Sequence, residues 1–149
     1  MARRSAGCSS GLDSAREVVG VSEPVVFISH FGIKEGMLED LRQLSEEVID
    51  KLREEKARTV LYLAYLDDEG TEVSFLHAFP DAESMDLHFE GVDERVKAAY
   101  QYIEPRGWEI YGRPSGAALE SMRQAAEGAG VSLTVLPDHL GGFLRLRSD

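Results

Sequence analysis

The chain has 149 residues, 43% of them hydrophobic and 29% charged, the size and mix of one globular domain, which excludes disorder and fibrous architecture for most of it. With 16 Lys and Arg against 27 Asp and Glu, its net charge of -11 argues against a grip on nucleic acid or on an anionic membrane, and no apolar run approaches the roughly 18 residues of a spanning helix. The one cysteine, Cys8, excludes an internal disulfide framework and fits a reducing, cytoplasmic setting.

Residues 1–22 are expected to form a disordered tail. Ser5-Ala6-Gly7-Cys8-Ser9-Ser10-Gly11 follows Arg3 and Arg4 where an export signal needs an apolar stretch; a short helix over 13–19 is compatible with the tail's composition. Val25-Val26-Phe27-Ile28-Ser29-His30-Phe31, after Pro24, is dense in β-formers and predicts a strand. Met37, Leu41, Leu44, Val48 and Leu52 then recur at steps of three and four. They make one stripe of an amphipathic helix of about six turns, with Glu39, Glu46, Glu47, Asp50, Glu54 and Glu55 on its other face.

Thr59 to Leu66 has no helical period, and Glu72 to Phe79 alternates, with Val73, Phe75, His77 and Phe79 on one side. Asp67-Asp68-Glu69-Gly70 between them is turn chemistry, so the two runs predict an antiparallel hairpin. Asp81 caps a helix holding Ala82, Met85 and Phe89. Gly91 interrupts it, Asp93 recaps a second segment with Val96, Ala99, Tyr100 and Ile103 inward, and Pro105 stops it. Trp108 to Tyr111 is a short strand. This order is βαββαβ, an α+β, ferredoxin-like antiparallel sheet with helices on one face, over residues 23–113.

Residues 114–149 form a helix-strand extension. Ser115 caps a helix with Leu119, Met122 and Ala126 on one face, Val131 to Leu136 is extended, and Phe143-Leu144-Arg145-Leu146-Arg147 alternates as a final strand. The extension is expected to pack on the same domain or on a dimer partner, or to lid a pocket. The strands of the sheet carry Val, Ile, Leu, Phe and Tyr at both parities, so both faces call for cover, and a second copy of the chain is the simplest cover.

The βαββαβ order, Lys34-Glu35-Gly36 leading the first helix, and Phe79-Pro80-Asp81-Ala82-Glu83-Ser84-Met85-Asp86-Leu87-His88 resemble the antibiotic biosynthesis monooxygenase family of the dimeric α/β-barrel superfamily. Phe79 and His88 stand nine apart, matching an aromatic at the end of the third strand and a histidine on the helix after it. The resemblance covers roughly Glu23 to Arg113. It implies a homodimer with a pocket between sheet and helices, and oxygen chemistry without a cofactor on a hydrophobic, aromatic, quinol-like molecule. The family's usual pocket also holds an Asn and a Trp. This sequence has no Asn, Phe79 stands at the Trp position, and only His88 carries over.

His88 is therefore the candidate catalytic residue, as proton acceptor or polariser. His30 and His77 fall late in the first and third strands; read as parallel neighbours, these strands bring the two imidazoles together as pocket-lining groups. A metal held by these three histidines lacks any recognised ligand spacing, so no metal is expected. Tyr62, mid-way along the second strand, Phe79 and Trp108 complete the expected substrate-binding set. Phosphate loops, nucleophile elbows and zinc-hydrolase helices are absent. The alternative from another class is a non-catalytic ligand-binding or stress-related dimer of the same fold.

Overall fold

A computed structural model describes residues 23–145 of the chain. The expected disordered tail (1–22), the short helix within it and the last part of the predicted final strand lie outside the described residues. Five strands and four helices are described: β1 (Val25–Ile33), α1 (Leu38–Glu55), β2 (Leu61–Leu66), β3 (Glu72–Phe79), α2 (Ala82–Phe89), α3 (Val92–Ala99), β4 (Ile103–Tyr111), α4 (Gly116–Ala129) and β5 (Ser132–Leu136). The sheet order is β2-β3-β1-β4-β5. Its first four strands are the ferredoxin-like unit, and β5 joins them at the edge beside β4.

β1 and β3 are antiparallel, not parallel. The crossover from β1 through α1 to β2 leaves a gap one strand wide, and the tight hairpin returns β3 into that gap running against both neighbours. β5 alone pairs in parallel, with β4, because α4 supplies the crossover that a parallel neighbour requires. The sheet is thus mixed rather than wholly antiparallel.

Strand parity divides the side chains. Phe27, Phe31, Val73, Phe75, Phe79, Trp108 and Ile110 face the helices and form the core with Met85, Met122 and Ala126. Val26, Ile28, His30, Leu61, Leu63, Tyr65, Leu76, Glu109, Tyr111 and Leu136 take the other parity and lie on the helix-free side.

Local chemistry fixes the helix ends. Asp81 caps α2, accepting from the Ser84 N–H at 2.8 Å and from its hydroxyl at 2.6 Å. Ser115 caps α4 through the Ala118 N–H at 3.1 Å and donates to Asp86 at 2.7 Å, tying α4 to α2. Asp81→Ala orphans the Ser84 N–H and is expected to cost about 1–2 kcal/mol of stability in urea unfolding, mostly from the cap; its partly exposed pairing with Arg58 adds little. Gly112, at φ +102°, lets β4 leave the sheet: a Cβ there would lie 2.6 Å from the Pro24 carbonyl oxygen.

Three local expectations are corrected. The cap of α3 is Gly91, in a left-handed conformation, rather than Asp93. Pro105 does not end a helix: α3 stops at Ala99, Ile103 opens β4, and Pro105 sits within that strand opposite Phe31. The ladder slips there, between His30 and Phe31, and β5 pairs only from Gly107 onward, so the missing proline N–H costs no hydrogen bond to β5. Finally, residues 143–145 of the predicted last strand have no regular structure.

Candidate functional site

The predicted inner stripe of α1 is only partly packed. Leu41 and Leu52 are buried and Leu44 and Val48 half-buried, and all four line a cavity of about 250 Å³ between the sheet and the helices. Its floor is the helix-facing side of β1, β2, β3 and β4, including Phe27, Phe31, Phe75 and Trp108. Its far wall comes from α2, α3 and α4. Aromatic strand residues make the surface, and α1, anchored at its two ends by buried leucines, spans the space without filling it.

The polar groups cluster at one end. Tyr62 of β2 lies directly across from His77 of β3 in the ladder, their rings 4.9 Å apart and edge to face. His77 in turn meets His88 of α2 at 5.1 Å, also edge to face. His77 Nδ1 bonds the Phe27 carbonyl at 3.0 Å. A carbonyl only accepts, so that nitrogen carries the proton and Nε2 holds a lone pair. His88 Nδ1 and the Thr59 hydroxyl are hydrogen-bonded at 2.7 Å.

Burial sets the protonation of all three. His77 is pushed down to about 4 and His88 to about 3, in each case first by loss of water around the charged ring; His77, Arg95 and Lys56 then repel a proton from His88. Both rings are neutral at pH 7. Burial raises the Tyr62 hydroxyl to about 12, against a smaller opposing pull from Arg95. Arg95 of α3 also lines the cavity, and its guanidinium donates to the His88 carbonyl at 2.6 Å and the Glu90 carbonyl at 3.2 Å. The cavity therefore offers neutral imidazoles, a protonated phenol and one fixed cation over an aromatic floor, with Asp93 of α3 and Ser29, Ser45 and Ser121 as its other polar lining.

Of the residues singled out in the sequence, His88, Tyr62, His77 and Trp108 line the cavity. Phe79 is fully buried and does not line it. It stands behind the site, its ring 6.1 Å from His77 and 5.2 Å from His88, and holds those imidazoles in place. His30 is not part of the site. With β1 and β3 antiparallel it lies opposite Ser74, on the helix-free face of the sheet, where Nδ1 meets Ser74 Oγ at 2.8 Å and Nε2 meets Glu109 at 2.5 Å. This Ser-His-Glu order invites comparison with a hydrolytic triad. Ser74, however, sits on an interior strand paired on both sides, where backbone N–H groups serve the ladders rather than an oxyanion. Nor can His30, His77 and His88 share a metal, since the sheet separates the first from the others; among the described residues no cluster of three or more His, Cys, Asp or Glu is placed to hold one.

Arg95 and Thr59 were not among the residues expected from sequence. Arg95 reads as one more charge on the polar face of a short helix, and Thr59 as the first β-former of a strand. Only the packing of α3 and of the β2 approach against α2 reveals them.

The ferredoxin-like unit, with its helices on one side of the sheet, is the fold of the antibiotic biosynthesis monooxygenases. Solved structures with this fold include MupZ from Pseudomonas fluorescens, 17% identical with a TM-score of 0.63, covering 83% of this chain and 96% of that one. SnoaB, a cofactor-independent oxygenase from Streptomyces nogalater, was solved as an asparagine-to-alanine mutant; it is 9% identical, with a TM-score of 0.52 and coverage of 63% and 96%. A Deinococcus radiodurans protein assigned to the antibiotic biosynthesis monooxygenases is 18% identical, with a TM-score of 0.51 and coverage of 62% and 94%. The MupZ match covers more of this chain than everything up to Arg113, so it takes in part of the C-terminal extension. No sequence-family profile matches the chain, and no curated protein sequence does. Among the described residues no helix is long and apolar enough to cross a membrane.

Proposed function

We propose that the chain is a cytoplasmic homodimer of antibiotic-biosynthesis-monooxygenase-like fold in which each subunit binds a small hydrophobic, aromatic, hydroxyl-bearing molecule. This quinol-like ligand is then oxidised by dioxygen without a bound cofactor. The observation that carries the reading is the aromatic-floored cavity with Tyr62, His77, His88 and Arg95 gathered at one end. An apolar cavity of about 150 Å³ takes up benzene, so about 250 Å³ suits a ligand of two or three fused rings. SnoaB, of the same fold, is a cofactor-independent oxygenase. In such chemistry the ionised substrate is itself the reductant of oxygen, and the protein's tasks are to accept a proton and to shelter an anion.

The imidazoles constrain how this works. Moving a proton from a phenol of pKa about 10 onto a ring held near 3 is uphill by roughly 9 kcal/mol. His88 therefore first binds a ligand hydroxyl as a hydrogen-bond acceptor. Ionisation becomes accessible when the anion is stabilised by Arg95 and, by its own charge, raises the proton affinity of His88. A second reading, ligand binding without turnover, is favoured by this barrier and by the absence of any Asn from the chain.

Trp108, the only tryptophan, lines the cavity and reports occupancy through its emission. The proposal expects hydroquinones and anthrones to quench it saturably and to be consumed with oxygen uptake, and His88→Ala to lower that uptake at least tenfold. Quenching without uptake leaves the second reading. Turnover by His88→Ala at the wild-type rate removes His88 from the chemistry.

A further inference from the structure

A second cleft, of about 230 Å³, opens on the other side of α2, between the C-terminal end of α1 and the start of β2. Lys56, Arg58, Thr59, Ser84 and Glu90 line it. None of these five lines the interior cavity; His88 is the one residue common to both walls. The ring is itself buried, and its Nδ1 is joined to the Thr59 hydroxyl at 2.7 Å. From this geometry we infer that Thr59 and His88 form a proton relay between the interior cavity and the surface cleft, with Thr59 acting through His88 as a positioning and relay residue. The inference rests on the proposed ligand chemistry for its purpose, but the path is a property of the protein alone.

The transfer balances on one proton. In the starting tautomer His88 Nδ1–H donates to Thr59 Oγ1 and Nε2 carries a lone pair. A proton from a hydroxyl or acidic carbon in the cavity bonds to Nε2. The Nδ1 proton passes to Thr59 Oγ1, and the hydroxyl's own proton leaves for water in the cleft. The ring ends neutral, with Nε2 protonated and Nδ1 accepting from Thr59, and the reverse passage restores it. Relaying suits this ring better than storing. Its surroundings disfavour charge: Lys56 and Arg58 stand on the cleft side, Arg95 of α3 donates to its carbonyl, and neutral His77 and Tyr62 offer no counter-charge, while the carboxylates that line the two spaces are Asp93 on the cavity wall and Glu55 and Glu90 at the cleft. A proton that cannot rest on the imidazole has to move on, and Thr59 gives it a route that avoids Arg95.

The test begins with the free protein. Imidazole 15N–1H spectra with water saturation measure how fast the His88 ring proton exchanges with solvent. Thr59→Val keeps the β-branched shape and removes the hydroxyl, and is expected to slow exchange roughly tenfold or more, while Thr59→Ser keeps it within about threefold of wild type. Unchanged exchange in Thr59→Val, or equal slowing in both variants, overturns the relay. A second arm follows deuterium entry at the acidic carbon of anthrone in D2O under nitrogen, with binding read from Trp108 quenching. The relay expects Thr59→Val to bind anthrone as wild type does but to exchange it at least tenfold more slowly, with Thr59→Ser restoring the rate. Wild-type exchange by Thr59→Val overturns it. If wild-type protein fails to bind anthrone, the proposed ligand reading falls instead, and the relay is judged by the ring-proton measurement alone.

Discussion

Lowering the pH from 7 to 4.5 is expected to remove about 2–3 kcal/mol of folding stability for each of two histidines, His77 and His88. Both rings have folded-state pKa values pushed down, to about 4 and about 3, from an ordinary 6.5. Below pH 6.5 the unfolded chain therefore takes up protons that the folded chain refuses, and stability falls with pH until the folded rings also titrate. Part of the His88 depression is repulsion from His77, so the two contributions overlap and the pair loses somewhat less than their sum. Against a typical total of about 5–15 kcal/mol, this is enough to bring the chain close to unfolding without any change at a carboxylate. Asp67, Asp81 and Glu109, whose pKa values are lowered chiefly by hydrogen bonds, have the same sign of linkage in a lower window: their contribution is lost only as pH falls through the ordinary carboxylate range and below it. Urea midpoints taken between pH 7 and 4.5 thus isolate the imidazoles. The double variant His77→Gln, His88→Gln is expected to flatten that dependence, and a wild-type midpoint that stays constant across the window contradicts the buried, neutral pair.

The parts of this chain readable before folding are those governed by neighbours in sequence. Val73, Phe75, His77 and Phe79 alternate and do share the helix-facing side of β3; Asp81 and Ser115 stand before their helices and do cap them. Strand direction was not readable in that way. Whether β1 and β3 run parallel depends on where the crossover places β2, and the wrong choice put His30 beside His77. Parity alone held the correction. Once Phe27 and Phe31 are assigned to the core, His30 falls on the opposite face whatever the strand order. Pro105 misled for a related reason, since proline reads as a stop unless the strand slips and the next neighbour begins two residues later, as β4 and β5 do here. The pocket between sheet and helices was legible only as what the family resemblance implies, since no periodicity in the sequence marks it. It lies where α1 crosses the sheet with Leu44 and Val48 half-buried on its wall, which depends on helix placement and not on periodicity.

The helix-free face of the sheet carries the other large expected effect. Across the strands, Leu63, Leu76 and Ile28 form one apolar row and Leu61, Ala78, Val26, Tyr111 and Leu136 the next, while Tyr65, Ser74 and His30 bound the patch. Leu63 is 43% exposed and Tyr65 59%, in a contiguous surface that a lone particle would leave wet. In the proposed dimer a two-fold axis sets this face against its own copy, so a single substitution acts twice. Leu63→Lys would bury two unpaired ammonium groups, and at about 2 kcal/mol or more each the dissociation constant should rise by roughly 1,000-fold. The fold itself should be untouched, because Leu63 faces away from the core. Leu66→Lys, on the same strand but of helix-side parity, should leave association unchanged. Sedimentation velocity decides the matter: wild type and Leu66→Lys are expected at twice the 16.5 kDa chain mass, and Leu63→Lys at the mass of one chain. A wild-type protein that sediments as a single chain at every concentration would leave that face without its partner, and the homodimer with it.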